Sequence, residues 1–599
     1  MMYATLLVPV LAFAQYAAPE RPPAYKPSDA ELQQIRTKIA QIHSNDPDVE
    51  IFRKAGEWIL RFPEEFFTKV SYTNTLRLLD IGIARQAQSD RPWAQAKGRI
   101  ARAYRSRIDG SVQPYGVIVP DSYDPNKPAR LDVILHGRGD TITEVSFLAG
   151  HQSDKPIPAD QNQIELEVFG RTNNAYRWGG ETDVFEAMEA VRKDYRIDPE
   201  RIVLRGFSMG GAGAWHIGLH YPDQWAAFEA GAGFTETMNY AKLKDVPPYQ
   251  RAPMHIYDAM DYTLNIFNVP AVGYGGEIDP QLQASRNIQA QIEREGLKPA
   301  DLRALFLVGP NTAHKFHPDS KKESDEFINK AVAERQTSPD HIRFVTYTTR
   351  YNKCFWITLD QLEKQYERAD VDATRKGDTI TIQTKNIARF TLKAPSKAVI
   401  DGESLALSTS FEKRGAQWGP ARSFGELHKR HGLQGPIDDA FMDSFLCVRP
   451  PGQFTAQYAK YMRGDLRAKE PAAVSKSDIA DNNLVLFGDP TDNKLIAEIN
   501  GKLPIRWVKD RIVVGADSFP ASEYKLAMIY PNPLNRNRYV VLNSGYTFGE
   551  AAFKGTNALL YPRLGDWAII RKSDNQVALA GIFDDDWSLG PLKTVGSFK

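Results

Sequence analysis

The rhythm of apolar and polar positions changes three times along the chain. From about Ser28 to Arg107, DAELQQIRTKIAQIH and TLRLLDIGIARQAQ carry apolar residues at three- and four-residue intervals, and WAQAKGRIARAYRSR is rich in helix formers. Those spacings predict a helical segment. From about Ser111 to Gln336, short apolar runs bounded by Gly or Pro take over: YGVIVP, LDVILHG, RIVLRGF, WAAFEAGAG, VPAVGYGG and LRALFLVG. Helical stretches such as ETDVFEAMEAVRKDY and QLQASRNIQAQIEREG lie between several of them. Strands alternating with helices predict a mainly parallel sheet covered on both faces, with ligands at the carboxyl ends of its strands. Beyond His341, HIRFVTYTTRYNKCFWITL and DTITIQTKNIARFTL alternate polar and apolar residues and predict a small β-sandwich-like module. After it, runs such as NNLVLFGDP, DRIVVGA and RYVVLNSG predict a smaller α/β unit. The expected boundaries are 15–109 for the helical segment, 110–337 for the central α/β unit, 338–425 for the β-rich module and 426–599 for the small α/β module.

One stretch departs from both rhythms. RIVLRGFSMGGAGAW passes from branched and apolar to nearly side-chain-free around a single serine, Ser208. Gly206-Phe207-Ser208-Met209-Gly210 fits G-x-S-x-G with a predicted strand before it and a helix after it, the setting in which a sharp turn lifts the hydroxyl above the sheet. A serine hydroxyl needs a base. Later strand ends supply candidates in the order acid, then histidine: Glu277-Ile278-Asp279-Pro280 follows VPAVGYGG, and Pro310-Asn311-Thr312-Ala313-His314-Lys315-Phe316-His317 follows LRALFLVG. Asp279 is the predicted acid with Glu277 as its alternative, and His314 the predicted base with His317 as its alternative. The backbone N–H groups of Met209 and Arg138 are the expected oxyanion hole, the second lying in His136-Gly137-Arg138-Gly139.

These segments resemble the α/β-hydrolase superfamily. LHGRGD, the stretch DVFEAMEAVRKDYRIDPERIVLRGFSMGGAGAWHIGLHYPDQWAAFEAGAG and the later GEIDP and AHKFH loops carry the resemblance, over roughly residues 110 to 337. Within the superfamily they are similar to secreted feruloyl, acetyl-xylan and polyhydroxybutyrate-depolymerase-like esterases, and to the catalytic domain of prolyl-oligopeptidase-like serine peptidases. The resemblance implies a cofactor-independent Ser-His-Asp hydrolase acting through an acyl-enzyme, with an ester of a small molecule or polysaccharide as the expected substrate. A peptidase using the same residues is the alternative, and a fold-retaining protein without catalysis is the alternative of a different class. The long C-terminal half departs from the simple esterases, and the absence of a preceding propeller departs from prolyl oligopeptidases.

Composition narrows the field. With 75 basic and 74 acidic residues among 599, a net charge of +1 gives no electrostatic footprint for nucleic acid. No apolar run reaches the ~18 residues of a membrane span. MMYATLLVPVLAFAQ places an apolar stretch before Ala12-Phe13-Ala14, an A-x-A-like site, so a signal peptide over 1–14 and a secreted or periplasmic location are expected, although no Lys or Arg precedes the run. The two cysteines, Cys354 and Cys447, have apolar neighbours and no metal-type spacing. His216 and His220 share a helix face and are expected to pack rather than bind metal. Asp584-Asp585-Asp586 reads as a solvated turn. In FGRTNNAYRWGGETD, Arg171, Tyr176 and Trp178 offer guanidinium and aromatic faces after an apolar run, and two roles stand level: a substrate platform, or aromatics that pin a long loop.

Overall fold

A computed structural model describes residues 24–423 and 427–590. The expected signal peptide lies outside the described residues. Three helices open the described chain: α1 (Asp29–Ile39), α2 (Pro47–Arg61) and α3 (Lys69–Gln86). Ser28 caps α1 with a reciprocal Glu31 contact, and Asp46 caps α2 just ahead of Pro47. Both caps satisfy donors that a helix start leaves without partners.

The central sheet has eight strands in the order β1-β2-β4-β3-β5-β6-β7-β8. They are β1 (Gly98–Arg105), β2 (Val112–Val119), β3 (Ala129–Leu135), β4 (Ile164–Val168), β5 (Ile197–Phe207), β6 (Ala227–Gly231), β7 (Ala271–Gly276) and β8 (Ala304–Gly309). β1 to β2 and β2 to β4 pair antiparallel, and every other pair is parallel. The helices between these strands include α4 (Glu144–His151), α5 (Gly179–Asp194) and α6 (Met209–His220). The strands are buried Val, Ile, Leu and Ala runs because helices cover both faces. This is the α/β-hydrolase arrangement.

The segment expected to be helical to residue 109 departs from that expectation at its end. GRIARAYR forms β1, with Ile100 opposite Val117 and Arg102 opposite Tyr115. Its Ala and Arg favour helix locally, but the unpaired edge of β2 and a buried ion pair outweigh that weak preference. Arg102, 2% exposed, donates to both oxygens of Asp48 on α2 at 3.0 Å.

A second, eight-stranded sheet runs from His341–Thr346 to Gln417–Pro420 around its own core, which includes Phe344, Ile357, Leu359, Ile382 and Phe390. A third, seven-stranded mixed sheet contains Phe445–Val448, Asn483–Leu486, Tyr524–Asn532, Asn535–Leu542 and Trp567–Arg571. Buried ionic contacts tie these parts together. Arg463 sits against Glu144 of α4 and Glu65, and its carbonyl accepts from Lys54 of α2 at 2.6 Å. Arg350 bridges Glu181 of α5 at 3.2 Å and Asp439 at 2.9 Å. Cys354 and Cys447 are buried in different sheets as free thiols. Among the described residues, no helix is long and apolar enough to cross a membrane, and no group of three or more His, Cys, Asp or Glu side chains is arranged to hold a metal ion.

Candidate active site

Sheet register brings the chemistry together. Leu135 of β3 pairs with Gly206 of β5, so the residues after each strand, His136–Gly139 and Ser208, emerge side by side. The chain runs from β3 outward to β4 and returns to β5, making this gap the switch point where such sheets bind ligands. Phe207 pairs with Gly231, Gly231 with Tyr274, and Gly276 with Gly309. The loops after β7 and β8 therefore open on the same edge.

Ser208 has φ 60 and ψ −121, a conformation that L-residues seldom adopt, and it connects β5 directly to α6. The glycines around it are required by close approach. A Cβ at Gly206 would stand 2.0 Å from the Gly210 carbonyl oxygen, and one at Gly210 would stand 1.9 Å from that of Leu135. The Ser208 N–H donates to Gly231 O at 2.8 Å, fixing the turn against β6. Its hydroxyl is left half-buried at the strand ends.

The Ser208 Oγ lies 2.8 Å from Nε2 of His314, whose Nδ1 lies 2.7 Å from Oδ2 of Asp279. Asp279 is 5% exposed, and its other oxygen accepts the Gln281 N–H at 2.9 Å, which fixes the carboxylate plane. The Phe207 ring packs 4.8 Å from the imidazole, and the Tyr274 hydroxyl donates to Lys315 O at 2.8 Å to hold the loop. The alternatives stand elsewhere. Exposed Glu277 accepts the Asn311 N–H at 2.7 Å, and the His317 ring lies 3.9 Å from Asp319 at the start of helix Pro318–Ala333.

Opposite the serine, a Cβ built on Gly137 would be 3.5 Å from Ser208 Cβ. Nδ1 of His136 lies 2.8 Å from the Gly137 carbonyl oxygen. In a planar trans peptide the following N–H points the other way, so that of Arg138 is turned from the imidazole. The Met209 N–H belongs to the first turn of α6, where helix donors have no partner within the helix.

The loop expected as a possible substrate platform is not at the surface. Arg171, Tyr176 and Trp178 are 1%, 0% and 1% exposed, which corrects the platform reading in favour of pinning. The physical reason for Arg171 and Trp178 is the C-terminal unit, which covers them, whereas Tyr176 is buried within the central unit against the His136 ring. Arg171 pairs with Asp109 at 2.7 Å and Asp183 at 3.2 Å and donates to Met462 O at 2.9 Å; Trp178 Nε1 donates to Leu560 O at 3.2 Å. Burial opposes ionisation of Asp109, but Arg171 holds its carboxyl down to about 2, whereas burial pushes Asp183 up to about 7 against the same guanidinium. His216 and His220 are buried in α6, and burial lowers both, His220 to about 3.

Sequence reasoning passed over the wall beside the triad. A cavity of about 350 Å³ is lined by Phe234, Glu236, Asn239, Tyr240, Gln281 and Asn287, among others. Gly233, at its edge, donates to Gln281 Oε1 at 2.9 Å, and a Cβ there would stand 2.8 Å from Ser208 O. The Phe234 and Tyr240 rings stack at 4.7 Å. No motif marks this segment, because its residues meet only through the turn after β6.

Residues 172–268 match the model of the prolyl oligopeptidase family. Over 158 residues the chain is 26% identical to dipeptidyl-peptidase 5 of Porphyromonas gingivalis, a match that covers 24% of this chain and 23% of that relative's length. Among solved structures, a ferulic acid esterase is similar at 18% identity and TM-score 0.30, covering 39% of this chain and 98% of its own. A puromycin-hydrolysing peptidase of Mycobacterium tuberculosis is similar at 17% identity and TM-score 0.27, covering 40% of this chain and 39% of its own. The prolyl oligopeptidase family match runs through the serine elbow, within the α/β-hydrolase arrangement of the central sheet.

Proposed function

We propose that the protein hydrolyses carboxylic esters, with Ser208 as nucleophile, His314 as general base, Asp279 as the group orienting it, and the Met209 and Arg138 N–H groups as oxyanion hole. The hydrogen-bonded line from Asp279 through His314 to Ser208, at 2.7 and 2.8 Å, carries this reading. The imidazole takes the serine proton as the oxygen attacks the acyl carbon. The tetrahedral oxyanion is met by N–H groups aimed at it beforehand, and the imidazolium gives its proton to the departing alcohol. Water, deprotonated by the same ring, then releases the acid and frees the serine.

The cavity beside Ser208 favours a neutral, ring-bearing ester such as an acylated sugar or a phenolic acid ester. Its stacked Phe234 and Tyr240 offer an aromatic face, and Asn239, Asn287 and Gln281 offer amides to hydroxyl groups. Glu236, its single lining carboxylate, already accepts the N–H groups of Asn239 and Tyr240 at 2.8 Å each. An amino terminus would have to compete for it. The second reading, a peptidase with the same residues, is favoured by the family match over 172–268 and the likeness to a dipeptidyl-peptidase. Action outside the cytoplasm rests on the A-x-A-like run at Ala12–Ala14.

Kinetics on matched acyl esters and peptide amides decide between the two. Ester turnover with negligible amide cleavage is expected, and efficient amide cleavage with no esterase activity reverses the assignment. Ser208→Ala should remove about 10⁶-fold of kcat with the melting temperature unchanged. Fluorophosphonate should label Ser208 and nothing else.

A further inference from the structure

The chain after β3 reads His136-Gly137-Arg138-Gly139; the His136 ring holds the Gly137 carbonyl, on one side of the Arg138 N–H, at 2.8 Å, and the glycine on the other side leaves the backbone there free to turn. An oxyanion donor works only when fixed at about 2.7–3.1 Å from the developing charge. The restraint on that far side comes from Asn173. Its Oδ1 accepts the Gly139 N–H at 3.1 Å, and its Nδ2 donates to the Gly139 carbonyl at 3.0 Å, closing a two-bond clasp on one residue. Asn173 is itself held, because its carbonyl accepts Nδ2 of Asn557 at 2.9 Å. Asn557, 4% exposed, begins a helical turn of the C-terminal unit, and the same segment receives the Arg138 guanidinium on the Lys554 and Gly555 carbonyls.

The loop presenting Asn173 is strained. Arg171, Thr172, Ala175, Tyr176 and Trp178 all have φ between 54 and 73. Such a run persists only where its surroundings enforce it. The enforcing bonds come from the C-terminal unit: Arg177 to Ala558 O and Leu560 O at 3.3 and 3.4 Å, Trp178 to Leu560 O, and Arg171 to Met462 O.

We infer that Asn173 and Asn557 are positioning residues for the oxyanion hole, so that the C-terminal unit sets the geometry of a site whose reacting groups all lie in the central unit. The inference rests on the assignment of Arg138 N–H to the hole. It gives the C-terminal half a part in rate.

The test uses the full-length protein with an ester substrate. Asn173→Ala is expected to lower kcat about 10²-fold and Asn557→Ala about 10-fold, with KM within about twofold. The rate of fluorophosphonate labelling of Ser208 should fall in parallel, since that reaction uses the same hole. Asn173→Asp keeps the acceptor for Gly139 N–H but loses the donor, and should fall between wild type and Asn173→Ala. Where Asn173→Ala lowers the melting temperature, Asn557→Ala carries the test, because its donated bond reaches Asn173 without touching the oxyanion strand. Folded variants with unchanged kcat and labelling overturn the inference, as does a rise in KM alone. Hydrolysis surviving Ser208→Ala, by contrast, overturns the proposed hydrolytic site and leaves the clasp a structural contact.

Discussion

Two turns of this molecule share one backbone conformation and do opposite things. Ser208, at φ 60 and ψ −121, and Trp178, at φ 56 and ψ −126, each stand immediately before a helix that opens with a pair of close-set glycines. At Ser208 the strand leads straight into the helix and the side chain projects above the strand ends toward His314. At Trp178 a ten-residue loop, 169–178, intervenes, the C-terminal unit lies over it, and the indole is sealed against Leu560 and Phe548. The strained elbow is therefore a device for forcing a side chain out of line. What lies opposite decides whether that side chain reacts or packs.

The largest effect that sharpens this contrast is expected on the Ser208 side. Asp279→Asn should lower kcat about 10⁴-fold, equivalent to about 5.5 kcal/mol, with Glu277→Gln within a few-fold of wild type. The reverse ranking in steady-state kinetics would exchange the two carboxylates. On the other side, Trp178→Ala should cost about 3–5 kcal/mol in denaturant unfolding, as expected when a buried aromatic leaves a cavity. A loss under about 1 kcal/mol would mean that this elbow is not a packing device.

The glycines give a finer comparison. A Cβ at Gly210 meets the Leu135 carbonyl oxygen at 1.9 Å, an atom fixed in the sheet, whereas at Gly180 it meets the Asn174 side-chain amide at 2.4 Å. Gly210→Ala should therefore be more destabilising than Gly180→Ala by about 2 kcal/mol, since a side chain yields and a strand does not. Equal melting temperatures for the two variants would remove the distinction.

The smallest effect is electrostatic. Asp183, beneath the Trp178 elbow, is raised to about 7 by burial despite Arg171, so the folded protein keeps a proton that the unfolded chain releases near pH 4. The stability it contributes is complete below about pH 4 and is lost as pH rises through about 7. Asp183→Asn should abolish that loss, gaining about 1.4 kcal/mol on wild type between pH 6 and 8. Asp109, held down to about 2, acts in the opposite sense, and its contribution is lost only as pH falls through about 2. Parallel stability-against-pH curves for wild type and variant would show that Asp183 is ionised throughout.

The site was legible to different depths. Ser208 announced itself through glycines that no other residue could replace, a constraint local enough to be written in five positions. Asp279 and His314 were readable as strand-end residues in chain order, and their competitors Glu277 and His317 were separated from them by which way each loop turned. GRIARAYR kept its helical composition while forming a strand, because the partner β2 and the buried Asp48 carboxylate are remote from it in sequence. Arg171, Tyr176 and Trp178 carried the composition of a binding surface, and nothing near them marked the C-terminal half that covers Arg171 and Trp178.

By itself the sequence determined the alternation of strands and helices, the turn at Ser208 and the order of the residues that follow it, since periodicity and the absence of side chains act over a few positions. Tertiary structure alone decided which carboxylate faces the imidazole, which aromatics are sealed, and that Asn557 reaches the loop beside the serine. Those outcomes depend on contacts between segments hundreds of residues apart, where the deciding quantity is the burial and pairing of groups that no local pattern records.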